Sequence, residues 1–487
     1  KFNDQELAKR SKLKQMQEDK KDPFVFTKYA RNSNSLSFKN EFDKFSKEEL
    51  HDNKTKVVVA GRIMAIRQTF AVLRDFYGRV QLYINKKASP ELFETFKEID
   101  VGDIVGIEGT PMKTNTGELT IKVSNLTLLS KSLKPLPEKW HGLQDEEARA
   151  RHRYLDLIMS DESMQTFITR SVILRELRNF MDARGYLEVE TPVLHPILGG
   201  AAARPFKTHH NTLDREYYLR IATEIPLKKL IVGGFEKVYE IGRIFRNEGM
   251  DAMHNPEFTT LESYEAYISM WEVMELVEEI FKYLANKLNK VRCEYRGINL
   301  DFSQPFKRVN MVDLIKEKTK IDFNKITSDV DAIKIAKEHN VELLPHQKTR
   351  GHIINAFFET FCEKECIQPT FVYGHPIEVS PLAKKDPKDQ RNTERFELFI
   401  GGKEFANAFS ELNDPIDQFE RFNNQLKERD LGNAEANEMD WDFINALEYG
   451  MPPTGGLGIG IDRLVMLFAN QETIRNVLLF PHMRDEK

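Results

Sequence analysis

The sequence of 487 residues predicts an α+β protein with more than one domain. Two observations carry this prediction. Between residues 56 and 130, short runs of β-branched and aromatic residues alternate with turn residues, as in a small β-domain. From residue 146 onward, longer helical patterns are mixed with strand-like runs, and we expect a larger domain in which an antiparallel sheet is flanked by helices.

The first segment of the chain is basic and has a helical pattern that ends at Asp22-Pro23. Its positive charge comes from Lys9, Arg10, Lys12, Lys14, Lys20 and Lys21. Since the net charge of the chain is −5, binding of RNA would depend on local basic patches of this kind. An ordinary solvated helix face explains the cluster equally well.

Five strands are expected in the β-rich region, with one helix between the third and the fourth, after Ser89-Pro90. The strand-like runs are Val57–Ile66, Phe70–Asp75, Val80–Asn85, Ile104–Thr110 and Leu119–Leu129. Five strands with a helix in that place predict an OB-fold, a barrel whose face and loops bind single-stranded nucleic acid.

Three residues of the predicted barrel are candidates for contact with RNA bases. Phe70 is placed to stack on a base, while Arg67 and Gln81 could hydrogen-bond to base edges. Taken alone, a strand phenylalanine is more often a core residue. The turn between Arg67 and Phe70 is very short, which leaves little loop there to reach RNA.

The run Leu133-Lys134-Pro135-Leu136-Pro137 is expected to be the linker after the barrel, because its two prolines stiffen the chain and remove backbone donors. We therefore divide the chain into residues 1–145, a helix plus the OB-fold, and residues 146–487, the larger domain.

A hairpin is predicted in the larger domain. The run from Val238 to Phe245 is strand-like, Asn247-Glu248-Gly249 supplies a turn, and a second strand is expected from Glu257 to Tyr267. Arg246 then lies at the tip of this antiparallel hairpin.

A late glycine-rich run provides a second arginine. Gly456, Gly458 and Gly460 are spaced so that the backbone can pass close to something flat, and a helix is expected to begin near Asp462. Arg463 would lie at the mouth of that helix, where a guanidinium can bind phosphate and stack on a ring. Two such arginines, framed by apolar strand residues, indicate an active site that handles a nucleotide.

These two patterns resemble motifs 2 and 3 of the class II aminoacyl-tRNA synthetases, at residues about 238–267 and about 455–470. A run similar to motif 1 covers residues about 163–192: a predicted helix from Ser163 to Arg184, then a strand from Gly185 to Pro192. The apolar residues that recur at helical spacing in this helix are Ile173, Leu177 and Phe180. The resemblance extends over almost the whole chain.

Within the class, the chain is similar to the lysyl-tRNA synthetases. The runs that carry this likeness are Gly199-Gly200-Ala201-Ala202-Ala203-Arg204-Pro205-Phe206, Arg220-Ile221-Ala222-Thr223-Glu224 and Phe405-Ala406-Asn407-Ala408-Phe409-Ser410-Glu411-Leu412-Asn413-Asp414. A helical pattern at residues about 311–366 is expected to be an insertion between strands of the catalytic sheet, and we assign it no chemistry.

The resemblance implies that the protein activates L-lysine with ATP and transfers the lysyl group to the 3′ end of tRNA(Lys), with Mg²⁺ beside the ATP. It implies that the OB-fold binds the anticodon and that motif 1 builds a homodimer. No stretch of the chain approaches the roughly 20 apolar residues of a membrane span, and we expect a cytoplasmic protein without a membrane partner.

The resemblance also assigns roles to the two arginines. Arg246 bridges the amino acid carboxylate and the α-phosphate. Arg463 stacks on adenine and reaches the γ-phosphate, while Phe258 covers the opposite face of the ring. A carboxylate is already ionised at neutral pH, so that the first step needs positioning and charge neutralisation rather than a general base. We assign no histidine base to the transfer step either.

Further nucleotide contacts follow in the same way. Glu248 and His254 match ATP-binding positions, although Met253 stands where some members have a second arginine. Glu397 and Glu404 match the magnesium ligands, and Glu404 also matches an ATP contact. Hard carboxylate oxygens suit this cation.

The substrate side chain ends in an ammonium group with three donors and no acceptor, so its pocket needs carboxylates. Glu224, Glu262 and Glu411 match the lysine-binding acids of the family. The other positions that match lysine contacts are Gly200, Arg246, Tyr264, Asn407 and Phe409.

Three alternatives are kept. Aspartyl- or asparaginyl-tRNA synthetases share the architecture, but their substrates would require a cation where Glu224 and Glu411 stand. A non-catalytic RNA-binding relative would be expected to lack residues such as Arg246 or Glu404, and both are present. A lysine ligase that acts on a protein would typically lack an OB-fold module, which this chain is predicted to have. A P-loop enzyme is disfavoured because the chain contains no GxxxxGK[ST] run.

Overall fold

The computed structural model describes residues 2–137, 145–433, 435–436 and 438–485. The chain forms two compact units, Lys1–Gln144 and Asp145–Lys487. The boundary predicted at residue 145 adjoins residues 138–144, which lie outside the described residues. Among the described helices, none has the length and apolarity that a bilayer crossing requires.

The first unit is a closed five-stranded barrel with the strand order β1-β2-β3-β5-β4, preceded by three helices. Its helices are α1 (Asp4–Glu18), α2 (Ser35–Phe42), α3 (Lys47–His51) and α4 (Pro90–Lys97). Its strands are β1 (Val57–Arg67), β2 (Phe70–Arg74), β3 (Arg79–Tyr83), β4 (Ile104–Lys113) and β5 (Leu119–Ser130). The predicted OB-fold is confirmed, with α4 between the third and fourth strands.

Alternation along the strands separates the barrel core from its outer face. Ala71 and Leu73 of β2 are buried, as are Val80 and Leu82 of β3, because successive side chains of a strand point to opposite faces.

The predicted N-terminal helix forms, and part of its positive charge is used within the first unit. Asn3 and Glu6 form a capping box at its start. Lys12 Nζ lies 3.0 Å from Asp100 Oδ1, and Lys9 Nζ lies 4.0 Å from Asp100 Oδ2. These two lysines therefore attach the helix to the barrel.

The second unit is built on an eight-stranded sheet with the order β14-β15-β16-β17-β18-β11-β10-β6. The strands of this unit are β6 (Leu187–Glu188), β7 (Leu194–His195), β8 (Lys207–His210), β9 (Arg215–Leu219), β10 (Lys237–Phe245), β11 (Glu257–Ala266), β12 (Arg292–Tyr295), β13 (Ile298–Asp301), β14 (Lys307–Asn310), β15 (Thr370–Tyr373), β16 (Arg395–Ile400), β17 (Lys403–Ser410) and β18 (Thr454–Gly460). Its helices are α5 (Glu146–Arg151), α6 (Arg153–Met159), α7 (Asp161–Ala183), α8 (Glu224–Val232), α9 (Met270–Lys287), α10 (Met311–Thr319), α11 (Asp329–Glu338), α12 (Arg350–Phe361), α13 (Pro415–Asp430), α14 (Trp441–Glu448) and α15 (Ile461–Phe468).

The sheet is antiparallel from β15 to β10, and only the outermost strands β14 and β6 are parallel to their neighbours. Helices α7, α9 and α15 pack together against it through one large apolar cluster, which includes Ile173, Leu177 and Phe180 of α7. The predicted antiparallel sheet with flanking helices is therefore confirmed.

The strand predicted after α7 is shorter than expected. Only Leu187 and Glu188 pair with β10, rather than the run up to Pro192. The Thr191 hydroxyl instead donates to Glu240 (2.7 Å), and the Thr191 carbonyl accepts from Arg220 (3.1 Å). These tertiary contacts take the backbone away from the ladder that its sequence would favour.

The predicted helical insertion forms between β14 and β15, as helices α10, α11 and α12. It has an apolar cluster of its own, which includes Ile315, Ala332 and Phe357.

Candidate active site

A cavity of about 450 Å³ opens over strands β11, β17 and β18 of the second unit. The predicted site residues that line it are Gly200, Glu224, Arg246, Glu248, His254, Phe258, Glu262, Tyr264, Glu404, Asn407, Phe409, Glu411 and Arg463. Of the candidates in this unit, only Glu397 is not part of its wall. The structure thus brings together residues that are far apart in the sequence.

The sheet register explains this convergence. Glu262 on β11 and Asn407 on β17 both face Gly458 of β18, and Tyr264 and Phe409 both face Gly456. The central strand presents glycines, so the side chains of its two neighbours can extend over it.

The room above Gly456 is taken by protein side chains rather than left for a flat ligand. A Cβ atom at this position would lie 1.8 Å from Glu411 Oε1 and 2.7 Å from Tyr264 Cε1. At Gly458 the nearest atoms would be 3.7 Å away, an ordinary contact. The reason predicted for the glycines, close approach to something flat, is therefore wrong for Gly456, which makes room for an acid of the pocket.

Arg246 follows β10, and its backbone N–H donates to the Pro256 carbonyl (2.8 Å), which closes the loop of the hairpin. Its guanidinium lies 5.2 Å from the centre of the Phe258 ring. Burial lowers the pKa of Arg246, although an arginine remains charged at any physiological pH. Its Nε has no hydrogen-bond partner among the described residues, so the group keeps donor capacity for a ligand.

Arg463, in the first turn of α15, contacts two other residues of the cavity wall. Its Nη1 donates to the Glu404 carbonyl (2.7 Å), and Nη2 lies 3.3 Å from His254 Nε2. His254 Nδ1 lies 2.8 Å from Asp251 Oδ2. Because Nδ1–H then donates to the aspartate, Nε2 is left as the acceptor that faces Arg463.

Asp462, next to Arg463, anchors this end of the helix. Its buried carboxylate accepts from the Thr259 backbone N–H (2.7 Å) and from Arg170 Nη1 (2.7 Å). The contacts join α7, β11 and α15, so elements from all three predicted motifs hold the position of Arg463.

Glu248 is an exposed residue of the predicted nucleotide site. Its Oε1 accepts a long hydrogen bond from the Arg204 backbone N–H (3.4 Å). It lies beside Arg246, where its negative charge favours the charged form of the guanidinium.

The three predicted lysine-binding acids are buried and face the same cavity. Glu262 Oε1 accepts from the Thr223 backbone N–H (3.2 Å), and Oε2 accepts from the Tyr264 hydroxyl (3.1 Å). Burial and the charge of Glu224 raise the pKa of Glu262 to about 7. Burial also raises the pKa of Glu224 and of Glu411.

An internal cation that the sequence reasoning missed lies among these acids. Lys228 Nζ is 2.5 Å from Glu224 Oε1 and also contacts Glu411 Oε2, and its side chain has no exposed surface. The four-residue spacing of Glu224 and Lys228 on a helix was the available signal. One ammonium group balances one of three carboxylates, so the pocket keeps an excess of negative charge.

The two predicted magnesium ligands differ in their surroundings. Glu397 has Oε1 bonded to Arg395 (2.6 Å) and Oε2 at 3.4 Å from His375 Nε2. Burial opposes its ionisation, but Arg395 and His375 outweigh this and lower the pKa of Glu397 to about 2. Glu397 is not part of the cavity wall, and its carboxylate contacts Arg395 and His375. Its role as a magnesium ligand stays a prediction.

Glu404 does face the cavity. Enclosure by the cavity walls and the charge of Glu397 raise the pKa of Glu404 to about 7, although 43% of its side chain is still exposed. A carboxylate held partly protonated by a like charge is a donor that a divalent cation would stabilise. Within the described residues, no group of three or more His, Cys, Asp or Glu side chains is arranged to hold a metal, which suits an ion that takes most of its ligands from phosphate and water.

The anticodon candidates lie on the barrel of the first unit. Arg67 ends β1 and is directly opposite Phe70, which begins β2, so the connecting turn is as short as predicted. Phe70 is partly exposed and its ring lies 5.1 Å from that of Tyr83. Gln81 and Tyr83 are on the outward-facing positions of β3. Phe70 is therefore not a core residue, and the structure adds Tyr83 to this face.

Two family models match the sequence. The model of class II tRNA synthetases (D, K and N) matches residues 145–484. The model of the OB-fold nucleic acid binding domain matches residues 57–129.

The chain is also similar to curated proteins over its full length. It is 60% identical to the lysine–tRNA ligase of Ureaplasma urealyticum serovar 10 over 488 residues, which cover 100% of this chain and 99% of the relative. It is 60% identical to the lysine–tRNA ligase of Malacoplasma penetrans, with the same coverage. A lysine–tRNA ligase of Staphylococcus epidermidis is 53% identical over 493 residues, 100% of this chain and 99% of the relative.

Proposed function

The chain belongs to the class II tRNA synthetases (D, K and N), and from this membership we infer that it is a lysine–tRNA ligase. It activates L-lysine with ATP to lysyl-adenylate and transfers the lysyl group to the 3′ end of tRNA(Lys). The observation that carries lysine as the substrate is the convergence of three buried acids, Glu224, Glu262 and Glu411, in one cavity with Arg246.

For the first step, we assign Arg246 to the lysine carboxylate and the α-phosphate. A carboxylate oxygen of lysine attacks the α-phosphorus, and the bond to the leaving pyrophosphate breaks. Arg246 neutralises the two anions that must approach each other, which is the main barrier to this reaction. The unpartnered Nε of Arg246 and its position beside Phe258 support this role.

We assign the adenine and the γ-phosphate to Arg463, with Phe258 on the opposite face of the ring and Glu248 and His254 as further ATP contacts. The hydrogen bond from Arg463 to the Glu404 carbonyl fixes the guanidinium at one end and leaves its remaining donors for phosphate.

Glu404, with Glu397 behind it, would hold Mg²⁺. When bound, this ion neutralises phosphate charge and orients the pyrophosphate. The donor set fits, since both ligands are carboxylates and the second one raises the pKa of the first.

For the second step, the 3′-hydroxyl of the terminal adenosine attacks the carbonyl of the adenylate, and AMP leaves. His254, the histidine of the described cavity wall, has Nδ1 engaged by Asp251 and Nε2 by Arg463. It is thus poorly placed as a base, and we propose that a phosphate oxygen of the adenylate accepts the proton.

We further propose lysine contacts by Gly200, Tyr264, Asn407 and Phe409, all of which line the cavity. Residues 1–145 would bind the anticodon through Arg67, Phe70 and Gln81, and residues 146–487 would carry out catalysis. Because charged tRNA is consumed by ribosomes, we place the enzyme in the cytoplasm.

A homodimer built on α7 and the segment after it is also proposed. Leu187, Val193 and Leu194 leave apolar side chains exposed in that segment, where motif 1 would meet its two-fold mate. Light scattering at micromolar concentration would test this, and a monomer would contradict it.

The alternative of an aspartate or asparagine enzyme is disfavoured by the state of Lys228. This lysine is the cation closest to the acids, but it is not part of the cavity wall and its charge is engaged by Glu224 and Glu411. Lys228 is therefore not available to the side-chain carboxylate of an aspartate substrate.

The test is ATP–pyrophosphate exchange with each of the twenty amino acids. We expect exchange with lysine, and its loss by about 10³-fold in Arg246→Gln, the effect of removing a main electrostatic group. Arg243→Gln, a change of an exposed arginine on β10, the strand that precedes Arg246, should leave exchange unchanged. Exchange led by aspartate or asparagine would overturn the proposal.

A further inference from the structure

Lys228 is held between acids from two different elements of the second unit. Its Nζ contacts Glu224, one turn earlier on α8, and Glu411, which follows β17. The rings of Phe409 and Phe443 lie 5.5 and 5.7 Å from the ammonium. Burial alone would lower the pKa of Lys228, but the two carboxylates outweigh it and raise this pKa. The side chain is therefore a permanently charged, enclosed cation.

The position of Lys228 separates it from the ligand. Glu224 and Glu411 line the cavity, whereas Lys228 lies behind them. It occupies Oε1 of Glu224 and Oε2 of Glu411. Glu411 Oε1 has no hydrogen-bond partner among the described residues. Glu224 and Glu411 thus each contact Lys228 through one carboxylate oxygen, and their second oxygen does not contact Lys228.

The charges of the occupied pocket can then be counted. When all three acids are ionised, Glu224, Glu262 and Glu411 supply three negative charges, and Lys228, which contacts two of them, supplies one positive charge. L-Lysine brings two ammonium groups, and its carboxylate is matched by Arg246. The pocket is neutral only with Lys228 and both amino groups of the substrate in place.

We propose that Lys228 is a positioning and specificity-determining residue. It is the counter-ion that the protein itself supplies to the pocket acids. With Lys228 in place, the pocket needs two further ammonium groups for neutrality, the number that a diamino acid supplies. This inference rests on the proposed lysine specificity and deepens it. Lys228 acts through Glu224 and Glu411, which it orients and whose charged forms it favours.

Other charged groups also face these acids. They are Glu262 and Tyr264 from β11, Arg246 from the hairpin loop and Arg395 from β16. All remain in place when Lys228 is changed, so a change in proton binding can be attributed to the lost ammonium group.

The experiment uses the full chain with Lys228→Met, Lys228→Arg and a matched control, Lys229→Met. Lys229 is the next residue of α8, but it pairs with Asp442 (2.5 Å) and is partly exposed. The measurements are the KM values for lysine and ATP in pyrophosphate exchange from pH 6 to 9, and the protons released on lysine binding, from calorimetry in two buffers.

Without Lys228, one carboxylate of the free enzyme has no counter-ion and must bind a proton. The substrate lysine must then displace this proton when it binds. For Lys228→Met we expect the KM for lysine to rise about tenfold at pH 7, with the KM for ATP within about twofold. The rise should shrink as the pH increases, and about one additional proton should be released per lysine bound. Lys229→Met should match the unchanged enzyme, and Lys228→Arg should restore most of the affinity.

A double variant keeps the proposal testable if Lys228→Met does not fold. Lys228→Met with Glu224→Gln again balances two acids with the two ammonium groups of lysine. If both single variants fold, the fold-loss of lysine affinity in the double variant should be smaller than the product of the fold-losses in the two single variants. If Lys228→Met does not fold, the double variant should still fold and bind lysine.

A Lys228→Met enzyme with the lysine KM and proton release of the unchanged protein would overturn the inference. So would equal increases in the KM values for lysine and ATP, which indicate a general structural role. The proposed function fails separately, because it requires lysine-dependent exchange by the unchanged enzyme.

Discussion

Two lysines of the molecule are fully buried between pairs of carboxylates, one in each unit. In the barrel, Lys131 Nζ lies 2.5 Å from Asp100 Oδ2 and 2.7 Å from Asp103 Oδ2. In the catalytic unit, Lys228 bridges Glu224 and Glu411. In each cluster one lysine bridges two carboxylates, but the clusters differ in what happens to the remaining carboxylate oxygens.

In the barrel, the acceptors are satisfied by the protein itself. Asp103 Oδ2 also accepts from the Asp100 backbone N–H (2.8 Å), and Oδ1 accepts from the Ser132 backbone N–H (2.8 Å). In the pocket, Glu411 Oε1 has no such partner among the described residues. Since an unsatisfied buried acceptor destabilises a fold, the difference indicates that the barrel cluster serves stability and the pocket cluster serves a ligand.

The largest effect is expected at the barrel cluster. Lys131→Met would leave Asp103 buried without its cation, and we expect the free energy of unfolding of the barrel to fall by about 3 to 5 kcal/mol. Urea unfolding, followed by a probe in the first unit, measures this. Lysine-dependent pyrophosphate exchange should persist at native protein concentrations, because no catalytic residue is assigned to this unit.

Lys122→Met, a change of an exposed lysine on β5, is the matched control and should change the free energy of unfolding by less than about 0.5 kcal/mol. A Lys131→Met protein as stable as the control would remove the proposed difference between the two clusters.

The second-largest effect is expected at the pocket cluster, where activity rather than stability should be lost. Glu411→Gln removes a charge that the protein alone does not need, and we expect kcat/KM for lysine to fall about 10²-fold, the value of one charge-assisted contact. Thermal unfolding should show no loss of stability, since the variant buries less unpaired negative charge. The exposed Glu420 on α13 provides the control Glu420→Gln. If Glu411→Gln unfolded as readily as Lys131→Met, the pocket acid would be structural.

The barrel and the pocket also differ in how much of their structure could be predicted from the sequence. The barrel strands follow from local alternation, and the third strand, expected from Val80, begins at Arg79. The contacts of Lys228 could not be predicted in this way, because Glu411 lies far along the chain, directly after β17. The surroundings of Glu397 could not be predicted for a similar reason: its carboxylate contacts Arg395 and His375, which the pattern of β16 alone does not reveal.

The residues of the cavity were available from the sequence only through the resemblance to a family. Local patterns predicted the hairpin of β10 and β11 and the helix after β18, which set the positions of Arg246 and Arg463. The pairing of β11, β18 and β17 that brings Glu262 and Asn407 over one glycine is a long-range feature. Local propensity does not contain this information.

A third prediction concerns pH and tests whether the pocket acids bind the ammonium group of the substrate. Burial and Glu224 raise the pKa of Glu262 to about 7, so below that pH the free enzyme carries a proton that competes with the substrate ammonium. The KM for lysine should therefore fall as the pH rises, by about tenfold per pH unit below the pKa, and level off above it.

Glu262→Gln should raise the KM for lysine and flatten this part of the pH profile, while the KM for ATP serves as the internal control. The barrel acids, in contrast, are held by cations and backbone donors of the protein itself. A steep profile that persists in Glu262→Gln would show that another group titrates.

The smallest effect is expected on the outer face of the barrel, where function requires no buried charge. Phe70 is partly exposed beside Tyr83, and stacking on one base contributes about 1 to 3 kcal/mol. Phe70→Ala should thus raise the KM for tRNA by about fivefold to tenfold, and leave pyrophosphate exchange and barrel stability unchanged.

Phe76→Ala, in the turn between β2 and β3, is the control, because it removes an aromatic ring that is 62% exposed on the same barrel. If this control weakened tRNA binding as much as Phe70→Ala, general apolar contact would explain the effect rather than stacking at one face. If Phe70→Ala instead lowered exchange, the barrel surface and the catalytic pocket would be coupled, and the separation between stabilising and ligand-binding clusters would have to include communication between the two units.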